Sequence, residues 1–276
     1  MKLLINMIKM EKPNHGWFDI DKTLITGDNR PEDHVLKAIS KVPNRGVNTQ
    51  RSLGQTEKVI ASGEVNLPCI IHAGGEVWNL GGEMIKSFPI NIETRKLLAK
   101  LILENKDSID LARFYPEGDR KVWIYVANDE LEEKFSKLYL PTNSFGKLTR
   151  SIDEYLEWFV NTSTTNTTIR TKEKTILPIS SELADAVEFD NSAKNDYFIT
   201  AKGVKKVTTL LWLCEYLGLD PKDVLTAGDS LATDSEVFKH TIGISVGPEL
   251  LPHAKMSAQS IDELVVLLDN IYNAND

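Results

Sequence analysis

The chain has 276 residues, 41% of them hydrophobic and 26% charged, the proportions of an ordinary globular protein whose length does not limit its core. Its net charge of −8 and pI near 5.3 argue against nucleic acid or an anionic membrane as a partner, although a single cleft can differ in sign from the whole surface. Cys69 and Cys214 lie in apolar stretches and read as reduced core residues, the five histidines lack zinc-ligand spacing, and no apolar run reaches the length of a membrane span.

Residues 1–10 hold only brief apolar runs and no small-residue cleavage site, so a cytoplasmic location is expected; the extension before Trp17 has no readable role. Trp17-Phe18 then reads as a short strand running out into Asp19-Ile20-Asp21-Lys22-Thr23. Residues two apart on a strand point the same way, so the carboxylates of Asp19 and Asp21 are expected to share one space. A helix is expected over 32–42, then a strand at Val47-Asn48 that Arg45 and Gly46 weaken, leading to Thr49. Ser52 reads as the N-cap of a helix that runs to residue 62 and stops at Gly63. Cys69-Ile70-Ile71 reads as the next buried strand of a parallel βαβ layout, followed by a hairpin of 76–78 with 84–86.

Between about Phe88 and Asp196 the pattern shifts. A helix is expected over 94–104 and strands over 111–115 and 122–126, with the polar run 161–168 as a loop. Parallel α/β character is expected to return with a strand at Tyr197-Phe198-Ile199. A helix over 204–217 with apolar spacing follows, ended by Gly218. The strand Val224-Leu225-Thr226-Ala227 next runs into Gly228-Asp229-Ser230-Leu231-Ala232-Thr233-Asp234. A helix about 234–240, a strand at 242–244 and a last helix over 261–272 complete the chain.

The predicted fold is α/β: a Rossmann-like parallel-sheet core domain, residues 1–87 and 197–276, split by an inserted α+β cap domain, residues 88–196. Ligands of open α/β sheets lie beyond the carboxyl ends of the strands. If the strands before Asp19 and Asp229 are neighbours, three or four carboxylates gather at that edge. Unit charges about 4 Å apart repel by roughly 1–4 kcal/mol at effective dielectrics between water and protein surface. Such a set calls for a cation, and all-oxygen ligands suit Mg²⁺.

Asp-x-Asp-x-Thr at Asp19, Thr49 after the second strand, Lys206 on the 204–217 helix and Gly-Asp-x-x-x-x-Asp at Asp229 occur in that order. Lys206 stands 23 residues before Asp229. In these features the chain resembles the haloacid-dehalogenase-like superfamily. It is most similar to the Cof-type sugar-phosphate phosphatase branch, subfamily IIB, whose large cap lies between the second and third motifs. It departs from that pattern at Lys22, where the family often has glycine, and at Thr49-Gln50-Arg51, where it usually reads Thr-Gly-Arg.

The resemblance implies a Mg²⁺-dependent phosphatase acting on a small phosphorylated metabolite, a sugar or polyol phosphate. In that reading Asp19 is the nucleophile and forms an aspartyl-phosphate, and Asp21 protonates the leaving oxygen and then activates water. Thr49 and Lys206 hold the phosphoryl oxygens. Mg²⁺ is held by Asp19, the backbone carbonyl of Asp21 and Asp229, with Asp234 behind them or bound through water. Two alternatives use the same parts: a phosphomutase or other phosphotransferase that passes the phosphoryl group to a second hydroxyl, and a catalytically poor protein that binds a phosphorylated ligand. Lys202 or Lys205 could stand in for Lys206. Gln50 and Arg51 could touch substrate or belong to a solvated loop. Arg113, Tyr115, Trp123, Tyr125 and Trp158 are left without assignment, and nothing in the sequence sets the oligomeric state.

Overall fold

The computed structural model describes residues 11–26, 30–139, 145–172, 175–193 and 195–273, so the first ten residues of the N-terminal extension lie outside it. The strands in chain order are β1 (His15–Phe18), β2 (Asn44–Val47), β3 (Cys69–Ile71), β4 (Glu76–Trp78), β5 (Met84–Ser87), β6 (Ile109–Pro116) and β7 (Val122–Val126). They continue as β8 (Phe145–Thr149), β9 (Thr164–Thr171), β10 (Val187–Ala193), β11 (Asp196–Ala201), β12 (Val224–Gly228), β13 (Ile242–Val246) and β14 (Met256–Ala258).

Five of them form an all-parallel sheet in the order β14-β13-β12-β1-β2. Its central strands are buried on both faces, as parallel sheets require. One face packs against helices Asp33–Ile39 and Ile261–Asn273 through Val35, Leu36, Leu264 and Leu268. The other carries helix Lys206–Leu217 through Val207, Leu210, Leu213 and Cys214, which pack with Trp17 and Phe238. That helix stops at Gly218, whose φ of 69° suits glycine, and Ser52 caps helix Leu53–Ile60 by accepting the Gln55 N–H.

The glycine that weakens β2 on propensity has a packing reason. A Cβ on Gly46 would come within 2.4 Å of Trp17 Nε1, and that indole needs the space to reach the Pro68 carbonyl at 2.9 Å. β3 departs from the expected parallel layout. It keeps a parallel bridge, Asn48–Ile70, to the chain just beyond β2, and otherwise pairs antiparallel with β4 in the three-stranded sheet β3-β4-β5.

The third sheet has the order β10-β11-β9-β6-β7-β8, antiparallel except for β7 with β8. Helices Ile92–Glu104 and Ile152–Asn161 cover one face through Leu98, Ile102, Tyr155 and Phe159, which pack on Phe114. Two expectations are corrected here. The polar run 161–168 is not a loop: residues 164–171 form β9, an inner strand of this sheet. Threonine suits a pleated, buried surface, and two of its hydroxyls find backbone acceptors here, Thr164 in the Tyr115 carbonyl at 2.6 Å and Thr167 in the Arg113 carbonyl at 2.9 Å. Tyr197–Ile199 does not return to the parallel core. It lies in β11, antiparallel to β9 and β10, so residue 197 still belongs to the inserted sheet. Among the described residues no helix is long and apolar enough to cross a membrane.

Candidate active site

The register of β1 on β12 pairs Phe18 with Ala227, and the Asp19 N–H extends that ladder by donating to the Ala227 carbonyl at 2.9 Å. Asp19 and Asp229 therefore emerge side by side at the carboxyl edge of the parallel sheet. After Asp19 the chain turns tightly: the Ile20 carbonyl accepts the Leu24 and Ile25 N–H groups, and the Lys22 N–H donates to Ile25. Lys22 takes φ 56° in this turn, a left-handed conformation that glycine adopts freely. The lysine brings an ammonium with it, 3.9 Å from Asp229 Oδ2.

Asp234 is fixed by the loop before it. Its Oδ2 accepts the Ser230 N–H at 3.0 Å, and its own N–H donates to the Ser230 carbonyl at 2.9 Å. Gly228 leaves room for it, since a Cβ there would stand 2.3 Å from Asp234 Cγ. Lys206 opens its helix, an electrostatically poor place for a cation. Two carboxylates compensate: its buried Nζ lies 2.7 Å from Asp19 Oδ1 and 3.0 Å from Asp234 Oδ1. The alternatives to Lys206 are elsewhere, Lys205 at 3.0 Å and Lys202 at 3.5 Å from Glu188.

One oxygen each from Asp19, Asp229 and Asp234 lie within 4.8 Å of one another. Burial, joined by the charges of Asp234 and Asp229, pushes the Asp19 carboxyl up to about 7 against the pull of Lys206. Burial and Asp234 likewise raise Asp229, which Lys22 and Lys206 oppose. Burial disfavours the Lys206 ammonium, but Asp19 and Asp234 outweigh it and hold that group above its ordinary value. Asp19 and Asp234 thus share one buried lysine, and Asp229 beside them pairs with the exposed Lys22, so three carboxylates face two cations. An all-oxygen set with that surplus of negative charge fits a hard divalent cation, and these residues could hold one.

Asp21 and Thr49 are placed differently. The Asp21 side chain is exposed and turned to Arg51, whose Nε and Nη2 donate to its two oxygens at 2.9 and 2.6 Å. Thr49 is fully buried beside them; its Oγ1 accepts the Arg51 N–H at 3.2 Å, and its own N–H donates to Ile70 at 2.9 Å. A cavity of about 690 Å³ opens on Asp19, Asp21, Lys206 and Asp229, and Gln50 from the core and Phe198 from β11 also line it. Sequence reasoning left Arg51 and Gln50 open and gave Phe198 no part. Only their closeness to Thr49 could have drawn notice to the first two. Gln50 Nε2 also donates to Asp190 Oδ2 of β10 at 2.6 Å, tying the six-stranded sheet to the core across the cavity.

The chain is similar in structure to several solved proteins. To the subclass IIB sugar phosphatase BT4131 it is 19% identical, with 94% of this chain and 96% of that one covered and a TM-score of 0.68. To the phosphatase BT1666 from Bacteroides thetaiotaomicron it is 16% identical, with coverage of 93% and 94% and a TM-score of 0.71. To a HAD/COF-like hydrolase from Plasmodium vivax it is 17% identical, with coverage of 99% and 100% and a TM-score of 0.76. These likenesses support the fold, a parallel-sheet core with an inserted α+β cap. Among curated proteins, none matches the sequence. The family model of the haloacid dehalogenase-like hydrolases matches residues 17–265, and the chain belongs to that family.

Proposed function

We propose that this hydrolase is a Mg²⁺-dependent phosphatase that cleaves a small phosphorylated metabolite, a sugar or polyol phosphate, through an aspartyl-phosphate on Asp19. The observation that carries the reading is Asp19 itself: buried, 2.7 Å from Lys206, in a set with more carboxylates than cations, and facing a cavity. With Oδ1 held by Lys206, Oδ2 is the oxygen that attacks phosphorus. Lys206 keeps its charge throughout and, with Thr49, holds the phosphoryl oxygens; the Thr49 oxygen accepts the Arg51 N–H, which leaves its own O–H to donate. Asp19, Asp229, the Asp21 carbonyl and, through water, Asp234 would hold the cation, which when bound would neutralise the carboxylates and the phosphoryl group so that anion can approach anion.

Asp21 protonates the leaving oxygen and later takes a proton from the water that attacks the aspartyl-phosphate. Arg51 donates one bond to each of its oxygens, which leaves further positions on the carboxyl group for the proton and the leaving oxygen. The inserted domain, which we take to begin near residue 88 and to include β11, closes the site from above. Two free, buried cysteines support a reducing, cytoplasmic setting.

The test is to trap the intermediate. Protein mixed with an aryl phosphate and Mg²⁺ and quenched in acid is expected to carry one phosphoryl group by intact mass, removed by hydroxylamine and missing in Asp19→Asn. Phosphate release with no such species, and none in Asp21→Asn, where breakdown of the intermediate should slow, would point to direct attack by water.

A further inference from the structure

Lys22 has a fixed backbone and a free side chain. Its N–H donates to the Ile25 carbonyl at 2.8 Å, and the turn around it is closed by the Leu24 N–H on the Ile20 carbonyl at 2.9 Å. Its φ of 56° is one that a side chain makes costly and that glycine escapes. The side chain kept at that cost does not pack against the core. It is 82% exposed, lines the cavity at Asp19 and holds its ammonium 3.9 Å from Asp229 Oδ2. A strained residue at a site is a reason to ask what its side chain does there. We infer that Lys22 is a cation held in reserve for the phosphoryl group: it balances Asp229 in the metal-free chain and turns to the phosphoryl oxygens when a divalent cation takes that carboxylate. The inference rests on the phosphatase reading above and adds to it one residue that touches the transferred group.

The argument is one of charge and freedom. Two ammonium groups line the cavity among the described residues, Lys206 and Lys22. Lys206 is buried and engaged by Asp19 at 2.7 Å and Asp234 at 3.0 Å. Lys22 has Asp229 alone, at a distance too long for a hydrogen bond, on a flexible four-carbon stem. The remaining charge on the lining, Asp21, is matched by Arg51. With Asp19 ionised, the three carboxylates of Asp19, Asp229 and Asp234 exceed the two ammonium groups by one negative charge.

A divalent cation held by these carboxylates turns that excess into one positive charge, which draws in the near-dianion of a phosphate monoester. Without Lys22 the same cation-bound set is neutral and offers the dianion no net attraction. Lys22 and the divalent cation also compete for Asp229, so the lysine weakens the cation's hold. One side chain is thus expected to have effects of opposite sign on two ligands. A merely solvated lysine would have neither, and a lysine that only shaped the turn would move both the same way. Because the ammonium is exposed, each effect is small and screened by salt.

The experiment compares wild type with Lys22→Gln, Lys22→Arg and Lys22→Gly at low salt. Calorimetry gives the affinity for Mg²⁺ alone and for inorganic phosphate in saturating Mg²⁺, and an aryl phosphate gives kcat and KM. Lys22→Gln is expected to bind Mg²⁺ about threefold more tightly and phosphate about threefold more weakly, with KM raised more than kcat is lowered. Lys22→Arg should keep the wild-type values, and the differences should fade near about 1 M salt, where charges are screened beyond about 3 Å. Lys22→Gly should match Lys22→Gln in both affinities and melt at a higher temperature, since glycine relieves the left-handed φ. Aryl phosphate turnover with phosphate affinity and KM unchanged in Lys22→Gln would overturn the inference and leave the phosphatase reading standing. So would an unchanged Mg²⁺ affinity, or a weakening of both ligands together. If Lys22→Gln does not fold, Lys22→Gly decides by the same measures. No turnover by the wild type would remove the phosphatase reading and the inference with it.

Discussion

At the end of β1 the carboxylates of Asp19 and Asp234 share one buried ammonium, that of Lys206, with the Asp229 carboxylate beside them. Between the three-stranded and six-stranded sheets lies a second buried cluster, around Glu76 and His72, in which the count of donors matches the acceptor. Glu76 is fully buried, and its oxygens accept from Trp78 Nε1 at 2.7 Å, Thr165 Oγ1 at 3.1 Å and the Gly118 N–H at 3.2 Å, with His72 Nδ1 at 3.7 Å. Burial alone would raise Glu76, but His72, Trp78 and the Gly118 N–H hold it below its ordinary value. Asp19, also buried but with fewer partners, is raised. The chain even accepts left-handed backbone at His72 and Ala73 to build the second cluster. Burial of charge is therefore no mark of a functional site by itself. What marks the first cluster is incomplete compensation together with a cavity, whereas the second joins β4 to the inserted sheet and satisfies its carboxylate, leaving His72 Nε2 as its one buried atom without a partner.

The two clusters should respond oppositely to the same insults. Lys206→Ala removes the shared cation and leaves Asp19 and Asp234 facing each other; breaking a buried pair in this way costs about 3–5 kcal/mol. Denaturant unfolding should show that loss, and added Mg²⁺ should recover part of it. Glu76→Ala leaves the Trp78, Thr165 and Gly118 donors without their acceptor, for about 1–3 kcal/mol, and Mg²⁺ should recover none of it. Equal recovery in both variants would erase the distinction drawn here.

Acidity gives a smaller and finer contrast. In EDTA, Asp19 titrates near 7 when folded and near 3.8 when unfolded, so the folded chain binds the proton more tightly. Its contribution to stability is complete below about pH 4 and is lost as pH rises through about 7. Glu76, held below 4.5, contributes above that pH, and its share is lost on acidification through the folded value. The stability difference between wild type and Asp19→Asn should fall with rising pH, while that between wild type and Glu76→Gln should rise. Slopes of the same sign would break the comparison.

Much of the first cluster could be read in the sequence because its parts sit in short local runs at strand ends: Asp19 and Asp21 in one, Asp229 and Asp234 in another, and Lys206 at a helix start. The parallel core was legible for the same reason, as apolar strands alternating with amphipathic helices. The second cluster was not, because Thr165 and Gly118 reach Glu76 only through pairings distant in sequence. β9 reads as a polar loop, since threonine's β-branching and its backbone-bonded hydroxyls count only once neighbouring strands exist. Tyr197–Ile199 carries an apolar run that suits either sheet, and only its pairing with β9 and β10 assigns it. Gly46 weakens a strand on propensity and is required by the Trp17 indole beside it. The Asp21–Arg51 and Gln50–Asp190 contacts join residues 30 and 140 positions apart, with no local pattern to announce them.

The measurement that bears most directly on the first cluster is phosphate release from an aryl phosphate and a sugar-phosphate panel, with Mg²⁺ or with EDTA, for wild type and Asp19→Asn. Turnover that requires Mg²⁺ and falls by about 10⁴-fold or more in Asp19→Asn is the expected result. Turnover that survives EDTA or the loss of the Asp19 carboxylate, or no turnover in any condition, would contradict it.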